Sequence, residues 1–249
     1  MNDWIIPDWP APVAVKSLFT TRNGGISHSA GEAYATMNIG AHVNDNPTDV
    51  AHNRALLSAH LPAQPQWLKQ IHGTEPVRIE CVSTANPEGD AAYSRHPGVV
   101  CAIMVADCLP VFLCDTAGTV VAIAHAGWRG LAGGIIEKTI EAMDAERDKL
   151  IAWLGPAIGP KHFEVGSDVY DAFIQHSPAT EGAFSAIHRT HEKKWLADIF
   201  LLTRQRLTEN GVTAIYGGGI CTYSDPQRFY SYRRDGETGR MAALIWLEQ

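Results

Sequence analysis

Apolar positions along the chain fall into two rhythms. Near the centre, 99–106 is apolar throughout, the turn Asp107-Cys108-Leu109-Pro110 interrupts it, and Val111-Phe112-Leu113-Cys114 resumes it. Two short apolar runs bounded by turn residues predict buried strands. Asp115-Thr116-Ala117-Gly118 then supplies a turn into a third β-rich run over 119–124, which His125-Ala126-Gly127 breaks. From 128 to 143 the rhythm changes. Leu131, Ile135, Ile136, Ile140 and Met143 recur at spacings of one to four, predicting one helix with a single buried stripe. The run 150–154 reads as another strand.

On either side the pattern is sparser. Asn46-Pro47 opens a helix through Asp49, Val50, Leu56 and Leu57 that stops before Pro62, because Asn satisfies a free amide and Pro lacks a donor in the first turn. Val165, Val169, Phe173 and Ile174 predict a helix, and Trp195, Leu196, Ile199, Phe200 and Leu207 a longer one ending at Gly211. The runs 213–216 and 241–247 predict further strands. Strands outnumber simple βαβ units, so the expectation is an α/β (α+β) chain with a mixed sheet, or two facing sheets, and helices outside. A pure parallel doubly wound sheet fits less well. With no repeat, low-complexity tract or long Pro/Gly/Ser-rich linker, 1–249 reads as a single domain.

Composition narrows the partners. The 249 residues carry 20 Lys+Arg against 27 Asp+Glu, a formal charge of −7. Without a basic run, nucleic acid and anionic membrane are not expected partners, since the net field attracts neither. The apolar run 99–106 is far short of the roughly 20 residues a spanning helix needs. The start Met1-Asn2-Asp3-Trp4, soon followed by Pro7 and Pro10, lacks the basic and apolar segments of a secretory signal, and the expected location is cytoplasmic. Five cysteines, an odd number, suit reduced thiols better than a disulfide framework. No coiled coil or apolar stripe demands a dimer, so a monomer or weak oligomer is expected.

Candidate chemistry sits at strand ends and turns. His72 in Gln70-Ile71-His72-Gly73, Cys108 and His125 offer two imidazoles and a thiolate, a zinc ligand set that leaves a fourth position open. Their separations are not a compact finger spacing, and two other readings stay open. Cys108 can be a small core residue with structurally bonded histidines, or a nucleophile with His125 as its base. His125-Ala126-Gly127-Trp128-Arg129-Gly130 runs from strand into helix, and Arg129 adds a forked donor for phosphate or carboxylate; its alternative is a structural ion pair. Arg22, in Thr20-Thr21-Arg22-Asn23-Gly24-Gly25, could clamp an anion, and Asn38 could bond a base or sugar edge, although turn roles are the commoner use of both. Arg54 could project to the same site from its helix, where an exposed position is the default. The aromatic and cationic tail Tyr230-Ser231-Tyr232-Arg233-Arg234-Asp235-Gly236, followed by Arg240, could cover a ligand or simply pack. Gly217-Gly218-Gly219 lacks the full G-x-G-x-x-G pattern and no G-K-[ST] loop occurs, so nicotinamide and ATP are not indicated.

Taken together, Thr21-Arg22-Asn23-Gly24-Gly25, Gln70-Ile71-His72-Gly73, Ala106-Asp107-Cys108-Leu109-Pro110, His125-Ala126-Gly127-Trp128-Arg129-Gly130, Leu154-Gly155-Pro156-Ala157-Ile158-Gly159-Pro160 and Ser231-Tyr232-Arg233-Arg234-Asp235 resemble the YfiH-like family, also called laccase-domain or polyphenol oxidase proteins. The matches run in order from about residue 4 to residue 247. One departure is Lys161-His162, where many relatives have Cys-Cys.

The resemblance implies an α-β-β-α sandwich and a zinc site at His72, Cys108 and His125. It implies phosphorolysis of adenosine, inosine, guanosine or methylthioadenosine, with adenosine deaminase as a second activity. It also carries a peptidoglycan-editing role, for which Cys108 and His125 would form a thiol amidase, and an older attribution of copper-dependent polyphenol (laccase) oxidation. Arg22, Asn38, Gln70 and Arg129 are the expected substrate and phosphate surround, and Asp107 and Glu75 the carboxylates near the proposed ligands. The 11 histidines include no H-x-H pair, which argues against a multicopper centre; copper is expected only as an adventitious occupant.

Overall fold

The computed structural model describes residues 2–28, 32–188 and 192–248. β1 (Val15–Phe19) is followed by α1 (Pro47–Ser58), β2 (Pro76–Arg78), β3 (Ala91–Ser94), β4 (Cys101–Val105), β5 (Leu109–Asp115) and β6 (Val121–Ala126). Then come α2 (Trp128–Gly133), α3 (Ile135–Met143), β7 (Leu150–Leu154), β8 (Glu164–Val165) and α4 (Ser167–His176). The chain closes with β9 (Phe184–Ile187), β10 (Lys194–Ala197), α5 (Ile199–Glu209), β11 (Ala214–Gly217), α6 (Tyr232–Asp235) and β12 (Met241–Leu247).

A six-stranded mixed sheet, ordered β11-β7-β5-β6-β3-β2, faces a three-stranded sheet ordered β1-β12-β4. In the larger sheet β11 with β7 and β2 with β3 run parallel, and its other pairs are antiparallel. Alternation along β5 explains the layers. Leu109, Val111 and Leu113 pack with Ile135, Ile136 and Phe173 of the helices, whereas Phe112 and Cys114 point into the space between the sheets. Along β4, Cys101, Ile103 and Val105 join that same central core, while Ala102 and Met104 face Leu57 of α1. Helices α2 to α5, the large sheet, the small sheet and α1 are therefore stacked as an α-β-β-α sandwich. Strands buried on both faces read as continuous apolar runs, which is why 99–106 shows no alternation.

Local chemistry explains several helix ends. The Asn46 side chain accepts from Thr48 N at 2.9 Å, with Pro47 in the first turn of α1, as expected. The single helix expected over 128–143 is instead two. Gly134 adopts φ +100 between α2 and α3 while the apolar stripe continues across the break, so periodicity alone did not show it. The long helix expected from Trp195 also starts later. Residues 194–197 form β10 between β8 and β9, Trp195 stacks on Tyr170 at 4.4 Å, and Asp198 caps α5 by accepting from Leu201 N at 3.0 Å. His125 does not break β6 but lies within it. That placement anchors the site described next.

Candidate metal centre and its cavity

β4 ends at Val105, β5 starts at Leu109 and β6 ends at Ala126, so the turn bearing Cys108 lies beside His125. The 70–73 loop, ahead of β2, brings His72 against them. The ligand atoms of His72, Cys108 and His125 all lie within 4.8 Å of one another, and the two imidazole rings meet edge to face with centroids 4.9 Å apart. His72 is exposed, Cys108 half-buried and His125 buried, so the triad descends from the rim of a cavity into its wall.

Backbone geometry shows how much the fold commits to this cluster. His72 adopts φ +59 and Asp107 φ +83, left-handed conformations that cost a β-carbon-bearing residue roughly 1–3 kcal/mol. Each is held by a buried carboxylate. Asp90, with no exposed surface, accepts from the amides of Ile71 (3.1 Å), His72 (3.0 Å) and Gly73 (2.7 Å), and its Oδ1 lies 2.8 Å from His125 Nδ1. Asp107 accepts from Thr222 Oγ1 (2.6 Å), Ser231 Oγ (3.0 Å) and Arg233 N (2.7 Å), tying the Cys108 turn to α6. At Gly127 a β-carbon would sit 3.0 Å from Cys108 Sγ and 3.2 Å from His72 Cδ2, so glycine keeps the triad clear.

Electrostatics favour the ligating thiolate of Cys108 and pair it with a charged His125, which would shed a proton to bind a metal. Burial opposes ionisation of Cys108, but the charge of His125 and hydrogen bonds from both histidines outweigh it and pull the thiol down. Burial likewise opposes charge on His125, which Cys108 and Asp90 overcome, pushing the imidazole up. Asp90 is held below the usual carboxylate range, burial again being outweighed, here by His125 and the loop amides. A thiolate and two imidazoles, facing a cavity on their open side, are a donor set that fits a soft or borderline divalent metal with one position left for water or substrate. Spacing within 4.8 Å is bridgeable by bonds of roughly 2.0–2.3 Å after small side-chain adjustment.

The cavity encloses about 870 Å³ and runs from the triad to α1 on one side and α6 on the other. Arg54, Arg129, Arg233 and Arg240 line it, and each guanidinium sits over an aromatic ring of the same wall: Trp67 at 4.6 Å, Trp128 at 4.4 Å, Phe163 at 5.6 Å and Tyr232 at 6.0 Å. Among the described residues none of these four arginines is in an ion pair. Arg54 bonds Ile39 O at 2.9 Å, and Arg240 bonds Thr238 O at 2.7 Å and Gly239 O at 3.1 Å. Burial lowers the pKa of both, and His42, beside them, is held down by burial and by their charges.

Two expected substrate residues lie elsewhere. Arg22 is outside the cavity lining: it donates to Ala35 O (2.9 Å), Pro226 O (2.8 Å) and Glu32 O (2.6 Å), which uses its fork to pin loops. Asn38 is fully buried and outside it too. Its Oδ1 accepts from Gly40 N and Arg240 N, and its amide donates to Asp45 Oδ2, so it positions Arg240 and has no atom left for a substrate. Gln70 does line the cavity, but both ends of its amide are locked to the Met104 backbone, at 2.9 and 2.8 Å. Arg129 lines it with an exposed fork. Arg54 departs from its default by being half-buried in the same wall. Neither expected proton-transfer carboxylate is free, because Asp107 has both oxygens engaged and Glu75 is exposed and paired with Lys138. His162, at the departure noted above, stacks on Tyr223 at 4.3 Å. Asp90 was not anticipated; the Asp90-Ala91 step from turn into strand gave no sign that its side chain reaches both the 71–73 loop and His125 in β6.

Comparison with known proteins places this geometry. The sequence profile described as multi-copper polyphenol oxidoreductase laccase matches residues 16–248. The chain belongs to that family. A purine nucleoside phosphorylase of Pseudomonas aeruginosa is 48% identical over 248 residues, covering 100% of both chains. The purine nucleoside phosphorylase YfiH of Escherichia coli is 48% identical, covering 99% of this chain and 100% of that one. Among solved structures, a Neisseria meningitidis protein superposes with a TM-score of 0.93 at 48% identity, covering 99% of this chain and all of that one. YlmD of Geobacillus stearothermophilus gives 0.84 at 30% identity over 96% of this chain and 94% of its own. The family description refers to several coppers, yet among the described residues His72, Cys108 and His125 form the one cluster able to hold a metal.

Proposed function

We propose that this laccase-family member is a zinc-dependent purine nucleoside phosphorylase, with zinc held by His72, Cys108 and His125. The observation that carries the reading is the set of four arginines, none in an ion pair among the described residues, in the cavity that also contains the triad. Arg54 and Arg240 are half-buried and Arg129 and Arg233 exposed, and a set of forked cations outside any ion pair suits an anion such as inorganic phosphate. The names of the two closely similar relatives quoted above support the same substrates.

Phosphorolysis forms a bond from phosphate oxygen to the anomeric carbon and breaks the bond to the purine nitrogen, which leaves with the electron pair and takes up a proton. Arg54 and Arg240, with Arg129 across the cavity, bind and orient the phosphate. The Trp67 and Trp128 walls shield the purine from water. A bound zinc would supply Lewis acidity towards a substrate oxygen or base nitrogen. Adenosine, inosine, guanosine and methylthioadenosine share the needed chemistry. Deamination is the weaker second activity, because it calls for a carboxylate to carry protons, and Asp107 and Glu75 are both engaged.

One observation favours a second reading. Cys108, His125 and Asp90 line up as thiol, imidazole and carboxylate, the order of a thiol amidase that would act on a peptidoglycan precursor. Copper can enter the same ligand set adventitiously, but one three-donor cluster does not make a multicopper oxidase. A single experiment separates the two main readings: phosphate-dependent release of base from adenosine and inosine, before and after chelation and after thiol alkylation, alongside metal content. About one zinc per chain with chelator-sensitive base release is expected. Metal-free protein without base release, active on an amide of a cell-wall precursor until alkylated, would replace the phosphorylase with the amidase.

A further inference from the structure

Asp90 touches both histidines of the triad. Its backbone carbonyl accepts from His125 N at 2.7 Å while its side-chain Oδ1 meets His125 Nδ1 at 2.8 Å, so one residue fixes the strand and the ring together. The same carboxylate receives the three consecutive amides of 71–73, the segment that places His72 in its left-handed conformation. An ionised carboxylate only accepts hydrogen bonds, so the proton of that contact belongs to His125 Nδ1, and Nε2 is the nitrogen left for the cluster.

We infer that Asp90 is a positioning residue for both histidine ligands: it selects Nε2 of His125 as the donor and holds the loop that carries His72. This rests on the metal reading above. An asparagine has the same shape but offers one accepting oxygen and a donating nitrogen. It cannot receive the His125 ring and three amides, and either the ring turns to its other nitrogen or the 71–73 loop leaves the left-handed turn.

Titrating metal-free protein with cobalt(II) tests this through the sulfur-to-cobalt charge-transfer band and the visible ligand-field bands, which report the ligands without requiring turnover. Wild type is expected to take up one cobalt per chain with a four-coordinate spectrum. Asp90→Asn is expected to bind roughly 10–100-fold more weakly, the usual loss when a ligand histidine loses its carboxylate, with altered ligand-field bands. Nitrogen-15 histidine spectra of zinc-loaded wild type give a reading independent of any variant's folding: His125 should carry its proton on Nδ1 and its metal on Nε2. Metal found on Nδ1, or a folded Asp90→Asn protein with unchanged affinity and spectrum, overturns the inference alone. Wild type that takes up no cobalt overturns the metal reading and this inference with it.

Discussion

Removing the charge of Arg54 should raise the KM for phosphate and leave that for nucleoside nearly unchanged. The guanidinium is held on three sides, by Ile39 O at 2.9 Å, by Met104 Sδ at 3.7 Å and by the face of Trp67 at 4.6 Å, and among the described residues Nη1 has no hydrogen-bond partner. Its position is thus set by the scaffold, and a bound anion has no ordering cost to meet there. A hydrogen bond to a charged group contributes about 1.5–3 kcal/mol net. At about 1.4 kcal/mol per factor of ten, Arg54→Met predicts a rise of roughly 10–150-fold in the phosphate KM. Arg54→Lys keeps a charge without the fork and should fall between the two proteins. Initial rates of base release over a matrix of phosphate and inosine concentrations separate the two KM values, and a melting curve shows that the loss of the Trp67 contact has not unfolded the cavity wall. A phosphate KM within twofold of wild type in a folded Arg54→Met protein would refute the assignment of this arginine to the anion.

Arg22→Ala should behave in the opposite way, losing about 2 kcal/mol of stability with its carbonyl bonds and its stack on Tyr230 at 4.8 Å, yet keeping both KM values; denaturant titration with kinetics checks it, and an elevated phosphate KM would return Arg22 to the site. Phe112, fully buried and edge-on to Trp153 at 5.2 Å, fills the space between the two sheets, so Phe112→Ala should cost about 3–5 kcal/mol in chemical denaturation. Burial would raise the Asp3 carboxyl, but bonds from Thr21 and Asn23 and the charge of Arg228 hold it below the ordinary value. Because the unfolded chain binds that proton first, the stability Asp3 contributes is complete above its ordinary pKa of 3.8 and is lost as pH falls through the lower, folded value. Asp3→Asn should therefore flatten the acid limb of the stability profile, and an unchanged limb would count against the cluster.

Periodicity read the layers better than the joints. The apolar runs around Ile103, Phe112 and Ile123 announced strands buried on both faces, and Asn46-Pro47 announced the start of α1, because burial and capping leave marks on adjacent residues. The break at Gly134 and the strand at Trp195 left weaker ones. In the first case the buried stripe runs on through the interruption; in the second, β8 and β9 decide the matter by pairing with β10 across the chain.

The sequence by itself determined the fold class, the family and the donor types at His72, Cys108 and His125, since side-chain chemistry and short-range pattern are properties of the chain. Tertiary structure decided which polar groups share a cavity. It took Arg22 and Asn38 away by spending their hydrogen bonds on loops, brought in Arg54 and Arg240 from segments far apart in the chain, and set Asp90 behind both histidines. Whether a donor is free depends on which backbone groups come to lie beside it, and sheet pairing across the whole chain fixes that.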